Sequence, residues 1–584
     1  MGSAAPHFSF HTFVNVNSTM KTSSGARVMS PLWLIAGSMG LSLAWMLPNH
    51  VLPWYGFHGD ALCAIMMTAV AIPVLWHNRF EAGWHWFTVV VAFAALIPLA
   101  QFGVGMVPLF GTAWINFAYM WGLLLALLVG AAWEQETPGQ GPDYLFLALG
   151  LASVASVGLQ LYQLMDLEPV GAWTLQSSGT RHYANIAQPN QLASLLLLGL
   201  LGCAWGYLQK HLSAAVAIGI SALLLMGVAL TESRTGWLNI ALLVVMTLYW
   251  RRLAQSRAYL WVVIGLAAYF VACVVFLPAV YDLMWGEGMF KYRSAADNPR
   301  WAAWVMFMKA AAQRPWFGFG WGQLGQAQFL MLDEKLWLGA SMLQSHNIIL
   351  DLVLWNGFVI GLGLAAVIAW WVWAVASRLS NARQLTMLGC IVVLGTHAML
   401  EYPLQYAYFL LPVGFLMGGL NVSVGLVPVS GAKKWLTSAV LIIAIATLAI
   451  TVRDYLRAET SFYGLRFEHK KVESPIPRTP PDVLALTQLR DYIVFARMEP
   501  RPAMTAAELE WVQGVITTLP SAFVLYRFAA MLAMNDRPEE AQVWLKRVCH
   551  ISPPVQCKAI KEEWAKQSLI NKSIAAIPWP LVPD

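Results

Sequence analysis

Charge is scarce in this sequence. Of 584 residues only 11% are Asp, Glu, Lys or Arg, against about 25% in a soluble globular chain. That shortage excludes a large soluble core. The net charge of +6 is small for this length, and it supports neither a nucleic-acid face nor a field for acidic substrates. Cysteine is sparse too: Cys63, Cys203, Cys273 and Cys390 lie inside apolar runs and read as small buried hydrophobes. No HExxH, CxxC pair, GxSxG or Walker pattern occurs, so metal-assisted hydrolysis and nucleotide-driven transport have no support. Residues 1–30 also lack an apolar core followed by a small-residue cleavage site. They read as a cytoplasmic tail rather than a removed signal peptide.

What is abundant is apolar. Hydrophobic residues make up 58% of the chain, mean hydropathy is +0.58, and there are 29 Trp. Many of the tryptophans (Trp76, Trp84, Trp114, Trp133, Trp250, Trp435) flank apolar runs, as interfacial aromatic belts do. Runs long enough to span a bilayer predict helices at 32–47, 61–76, 86–101, 114–133, 144–165, 192–208, 212–230, 237–250, 259–277, 348–375, 385–400, 406–426 and 435–452. The expected fold is an all-α polytopic membrane protein with about thirteen spans. A membrane part covers 31–452 and carries a large loop at 278–347; a small helical domain occupies 453–584.

The basic residues orient it. With the N-terminus inside, the inner segments hold Lys21, Arg27, Arg79, Lys210, Arg251, Arg252, Arg257, Arg378, Arg383, Lys433 and Lys434, while the short outer loops hold only Arg181 and Arg234. The positive-inside rule favours that choice. It puts the 278–347 loop, Glu401 and the tail on the outside of a bacterial inner membrane. In the tail, Pro-rich residues 475–481 form a hinge, and 521–553 resembles a single tetratricopeptide unit or a plain helical hairpin. Cys549 and Cys557 can pair there if the compartment is oxidising.

Polar residues at membrane depth are costly and therefore candidates for function. Four outward clusters qualify. Residues 178–191 hold Arg181, His182, Gln188 and Asn190 just before a helix; they can bind an anion at its N-terminus or form an ordinary polar loop capped by Asn190. Thr231, Glu232, Ser233, Arg234 and Thr235 break two apolar helices, as a ligand site or as a self-paired turn. Gln344, Ser345, His346 and Asn347 end the long loop; a lone histidine there is an acid, a base or an idle structural group. The fourth runs from His397 through Glu401, Tyr402 and Pro403 to Tyr408, a proline-broken turn with tyrosines behind it. Two arginines, a histidine and a carboxylate on one face form a coherent set, because guanidinium forks match phosphate oxygens and stay charged.

Ser345-His346-Asn347, Ser233-Arg234-Thr235, Gln188 with Asn190, and Glu401-Tyr402-Pro403-Leu404 with Tyr406 together resemble the O-antigen ligase/polymerase superfamily. They resemble most the bacterial protein O-oligosaccharyltransferases of the PglL type, which glycosylate pilins. Pro299-Arg300-Trp301 and the segment Pro315, Phe317, Gly318, Gly320, Trp321 also look like that family's. The likeness covers about 140–425 of this sequence.

The resemblance implies transfer of a glycan from an undecaprenyl-diphosphate carrier to a Ser or Thr hydroxyl of a pilin or another periplasmic protein. Arg181 and Arg234 would hold the diphosphate, His346 would orient or deprotonate the acceptor, and Glu401 would orient His346 or bind acceptor. Gln188, Asn190 and Tyr402 would contact substrate. No metal or other cofactor is expected, since the arginines supply the cationic charge. The partners are the lipid-linked oligosaccharide, the acceptor protein and membrane lipid, with no nucleic acid. The alternatives are an O-antigen ligase or polymerase and, in another class, a transporter of lipid-linked glycans.

Overall fold

A backbone inside hydrocarbon must satisfy its own hydrogen bonds, so the apolar runs have little choice but to be helical. The computed structural model describes residues 28–580, apart from 168–172, 176–179, 187, 255, 287–289, 291–299, 332–340, 430–432 and 519. The 1–27 part of the expected tail, and Ser178, Gly179 and Pro299 of the quoted motifs, lie outside the described residues.

The membrane part runs α1 (Pro31–Met46), α2 (Phe57–His77), α3 (Trp86–Gly103), α4 (Phe110–Glu136), α5 (Gln140–Leu164), α6 (Pro189–Leu208), α7 (Ala214–Leu230), α8 (Arg234–Tyr249) and α9 (Arg257–Trp285). Two short helices follow in the long loop, α10 (Arg300–Gln313) and α11 (Leu324–Met331). Then come α12 (Ile348–Ala376), α13 (Ala382–Ala398), α14 (Ala407–Ser423) and α15 (Lys434–His469). The tail adds α16 (Thr487–Arg497), α17 (Ala506–Thr518), α18 (Ala522–Ala533), α19 (Pro538–His550), α20 (Pro554–Ile570) and α21 (Lys572–Ala575). No strand occurs among the described residues. The protein is an all-α, polytopic membrane protein.

Each of the thirteen expected spans falls on a helix. Eight of them, α2 to α6, α9, α12 and α15, are long and apolar enough to cross a bilayer; α1, α7, α8 and α14 are apolar but shorter. α13 is the polar exception, with Arg383, Gln384, Thr386 and His397 in its 17 residues.

Three boundaries differ from the sequence reading. α9 continues through Pro278 to Trp285, so the long loop starts later than residue 278. One proline removes one amide donor, and the buried Tyr281 anchors the extra turns by donating from its hydroxyl to the Thr180 carbonyl at 2.6 Å. α15 runs unbroken through residue 453, because Thr451, Asp454, Tyr455 and Ala458 keep one buried stripe going. α12 is two helices joined at Gly357, whose φ of 77° is left-handed. The Pro315–Gly320 segment crosses this break: Phe319 N–H donates to the Leu354 carbonyl at 2.7 Å and Phe358 N–H to the Pro315 carbonyl at 2.7 Å. A Cβ on Gly357 would lie 2.3 Å from the Trp316 carbonyl, and one on Gly318 2.4 Å from the Leu354 carbonyl. Only two glycines allow so close a crossing.

The largest core lies among α1, α2, α4 to α7, α13 and α14. A separate one joins α17, α18, α19 and α20, with the ring of Phe329 from α11 tilted against Trp544, centroids 5.4 Å apart. The tail thus seats on the long loop. Cys549 and Cys557 form a disulfide there, linking α19 to α20.

Candidate functional site

The α6–α13 contact carries two polar pairs one helical turn apart. Asn190 donates to Glu401 Oε1 at 3.1 Å, and four residues further along each helix or turn Ser194 Oγ meets His397 Nδ1 at 2.8 Å. Asn190 also accepts from Ser233 Oγ at 2.7 Å, while Ser233 caps α8 by accepting from the Gly236 amide at 3.0 Å. An N-cap serine still has its hydroxyl proton to give. That proton joins the α7–α8 turn to α6, and α6 to the Glu401 turn.

His346 reaches the same carboxylate from the long loop. Asn347 caps the first half of α12 through Oδ1, accepting from Ile349 and Leu350 amides at 3.1 Å each. The Ser345 amide donates to Asp351 at 2.8 Å, and Trp304 of α10 donates to the Ser345 carbonyl at 3.0 Å. Between these two clamped neighbours His346 is left-handed, with φ 60°. Such a conformation costs energy for a residue with a Cβ, and it persists where surrounding bonds enforce it. Its result is a ring with Nδ1 3.0 Å from Glu401 Oε2 and an edge-on contact with Tyr402 at 5.0 Å between centroids.

An ionised carboxylate only accepts, so the bonded Nδ1 carries a proton and Nε2 is the ring nitrogen left facing away from the pair. Nε2 takes no hydrogen bond among the described residues, and the side chain is 22% exposed. Such an arrangement can serve chemically as a base oriented by a carboxylate.

The Glu401 carboxylate has a third partner, the Arg300 guanidinium at the start of α10. Burial alone would raise the Glu401 carboxyl; the His346 bond and the Arg300 charge outweigh it and hold it below the ordinary carboxylate range. Arg300 stood in a quoted motif but not among the candidate site residues. Its separation from Glu401 by 101 residues hid the pairing.

The two predicted arginines flank one turn, residues 230–233. Thr180 Oγ1 donates to Glu232 at 2.6 Å, Arg181 Nε to the Thr231 carbonyl at 3.0 Å, and the His182 amide to the Leu230 carbonyl at 3.2 Å. Segment 180–182 is therefore laid along the 230–232 turn, and Arg234 opens α8 next to Ser233, its own residue exposed. His182 is fixed from behind by Tyr281, and burial pushes its imidazole down to about 4, so it is neutral at physiological pH. Gln188 takes the N-cap role that the sequence reading offered to Asn190: its Oε1 accepts from the Gln191 amide at 2.8 Å, whereas Asn190 turns inward.

Glu401, His346, Asn190 and Tyr402 are thus in direct contact, with Arg300 added. Arg181 and Arg234 join them through the Ser233–Asn190 bond. Tyr402, Tyr406 and Tyr408 continue the site as a row of rings with centroids 6.3 and 5.1 Å apart.

This arrangement is matched from outside. Residues 219–366 match the family described as O-Antigen ligase, 385–553 match Virulence factor membrane-bound polymerase, C-terminal, and 183–205 match Protein glycosylation ligase. A General O-oligosaccharyltransferase of Acinetobacter baylyi is 28% identical over 533 residues, 88% of this chain and 91% of that protein. Over these segments the chain resembles O-antigen ligases and protein glycosylation ligases. It is a membrane glycosyltransferase.

A second relative of this glycosyltransferase in the same organism, a ComP-specific O-oligosaccharyltransferase, is 29% identical over 344 residues, 58% of this chain and 61% of that protein. The O-Antigen ligase match spans Arg234, Arg300 and His346 of the enzyme but ends before Glu401. The carboxylate of the His346 pair comes instead from the polymerase-type match. The site is assembled across the two.

Proposed function

We propose that this enzyme moves an oligosaccharide from an undecaprenyl-diphosphate carrier to the hydroxyl of a Ser or Thr in a periplasmic protein such as a pilin. The observation that carries the reading is His346, held by Glu401 through Nδ1 with Nε2 turned outward, and linked through Asn190 and Ser233 to a turn that Arg181 and Arg234 flank. In the reaction the acceptor oxygen attacks the anomeric carbon while His346 Nε2 takes the hydroxyl proton. The bond between that carbon and the diphosphate oxygen breaks, and the diphosphate leaves with the electron pair. The developing charge falls among the guanidinium groups of Arg181 and Arg234, with Arg300 nearby, which need no reorganisation to meet it. Displacement in line inverts the anomeric carbon. Glu401 keeps the imidazole in the right tautomer and stabilises the imidazolium.

Two further observations support the reading. The relatives' printed names are both O-oligosaccharyltransferases. The Cys549–Cys557 disulfide suits a tail in an oxidising compartment, hence a periplasmic site and an inner-membrane location. The second reading is an O-antigen ligase or polymerase, favoured by the match at 219–366. Co-expression with a pilin and a lipid-linked glycan, read by intact-mass spectrometry, tests the first. Unmodified pilin together with loss of lipopolysaccharide O-antigen in a knockout would transfer support to the second.

A further inference from the structure

α10 is apolar on two opposite sides. Its inner side packs Ala303, Phe307 and Ala310 against the first half of α12. Directly opposite, Trp301, Val305 and Met308 are exposed, Trp301 by 69%; Lys309 and Gln313 occupy one edge between the two sides. After the helix Trp316 and Phe317 are exposed by 69% and 68%. Apolar area of this extent, aligned at helical spacing and rich in tryptophan, marks a surface that something covers.

Its continuity says what. The Pro315 carbonyl accepts from the Phe358 amide, and Trp316 lies against Gly357. Immediately beyond that break the second half of α12 exposes Val359, Ile360 and Leu362. α12 is long and apolar enough to cross the bilayer, and only 22% of its most apolar stretch is buried, so those side chains face acyl chains. Trp316 and Phe317 therefore stand at the level where a lipid-facing surface begins, and α10 is joined to it through Arg314.

We infer that α10 is an interfacial helix, lying in the lipid headgroup layer on the His346 side with Trp301, Val305, Met308, Trp316 and Phe317 at the boundary with the acyl chains. The same helix carries Arg300, paired with Glu401, and Trp304, bonded to the Ser345 carbonyl. The lipid surface thereby sets the depth of the His346–Glu401 pair, at the level of a lipid-borne diphosphate. That last step rests on the proposed transfer; the placement of α10 does not.

The test uses the full chain in phospholipid nanodiscs, with Cys63, Cys203, Cys273 and Cys390 replaced by Ala. Bimane is attached to Val305→Cys, Met308→Cys, Trp316→Cys or, on the polar edge, Lys309→Cys. Nitroxide-bearing phospholipid should quench the first three about threefold more than the last, and aqueous iodide should show the reverse order. Iodide reaching 305, 308 and 316 as readily as 309 overturns the placement. So does protection of those three from both quenchers, which means that protein covers them. In a second arm, Met308→Glu should lower transfer from a lipid-linked donor in bilayers about tenfold, and Lys309→Glu should not. Lipid quenching with unchanged Met308→Glu transfer would leave the helix at the interface and remove its role in setting depth.

Discussion

Two buried carboxylates at the same end of the bundle are held in opposite ways. Asp60 of α2 accepts from the Ala407 amide at 2.6 Å, the Tyr408 amide at 3.4 Å and the Tyr119 hydroxyl at 2.6 Å. Two of its three partners are backbone, at the start of α14. Among the described residues Glu401 accepts only from side chains, those of Asn190, Arg300 and His346, supplied by α6, α10 and the loop before α12. A carboxylate bonded to amides fixes where a chain goes. One bonded to side chains from separate elements can pass a change of charge from one to another. Asp454 follows the Asp60 pattern, accepting from the amides of Leu484, Ala485 and Leu486, and it pins the start of the tail to α15.

The largest effect expected on this contrast is at His346. His346→Ala should reduce transfer by about 10²–10⁴-fold, with membrane insertion unchanged, as measured by glycan occupancy on a co-expressed acceptor. Next comes the direct comparison. Glu401→Ala should lower turnover by about 10²-fold, in the range for a lost electrostatic partner, with a smaller fall in apparent Tm in detergent than Asp60→Ala produces. Asp60→Ala should instead lower stability by about 1–3 kcal/mol for each donor left without an acceptor, read as a fall in Tm and in folded yield. A stable, inactive Asp60→Ala, or an unfolded Glu401→Ala, would reverse the two assignments.

Smaller effects sharpen it. Arg234→Lys and Arg300→Lys keep the charge but lose the fork, and each should reduce transfer about tenfold, equivalent to ~1.4 kcal/mol of barrier. Wild-type turnover in Arg300→Lys would show that its pairing with Glu401 is merely structural. The smallest effect concerns pH. The Glu401 carboxyl sits below the ordinary carboxylate range, so its contribution is fully present above that range and is lost as pH falls through the lowered value. The Tm difference between wild type and Glu401→Gln should hold steady from neutral pH to about pH 5 and shrink only in stronger acid. A difference that shrinks already near neutral pH would mean that the carboxyl is not held down.

Much of this was legible in the sequence. The thirteen apolar runs became helices because length and hydropathy leave no other hydrogen-bonded option in lipid. The polar breaks at Arg234, His346 and Glu401 stood out because each adjoins a long apolar helical run. Gln188 and Asn190 were harder: both are amides at a helix start, and only packing against α13 decides that Gln188 caps and Asn190 points inward. Arg300 was quoted and still missed as a site residue, since no local pattern ties it to a carboxylate 101 residues away.

Composition and patterning are enough to dictate that this chain enters a membrane and where its polar turns interrupt the helices. Those properties depend on transfer from water to lipid, which each segment feels alone. Which turns meet is a matter of packing. The pairing of His346 with Glu401, and the linkage of Ser233 to Asn190, exist because α6, α8, α12 and α13 converge at one end, and convergence is a property of surfaces several hundred residues apart in the chain.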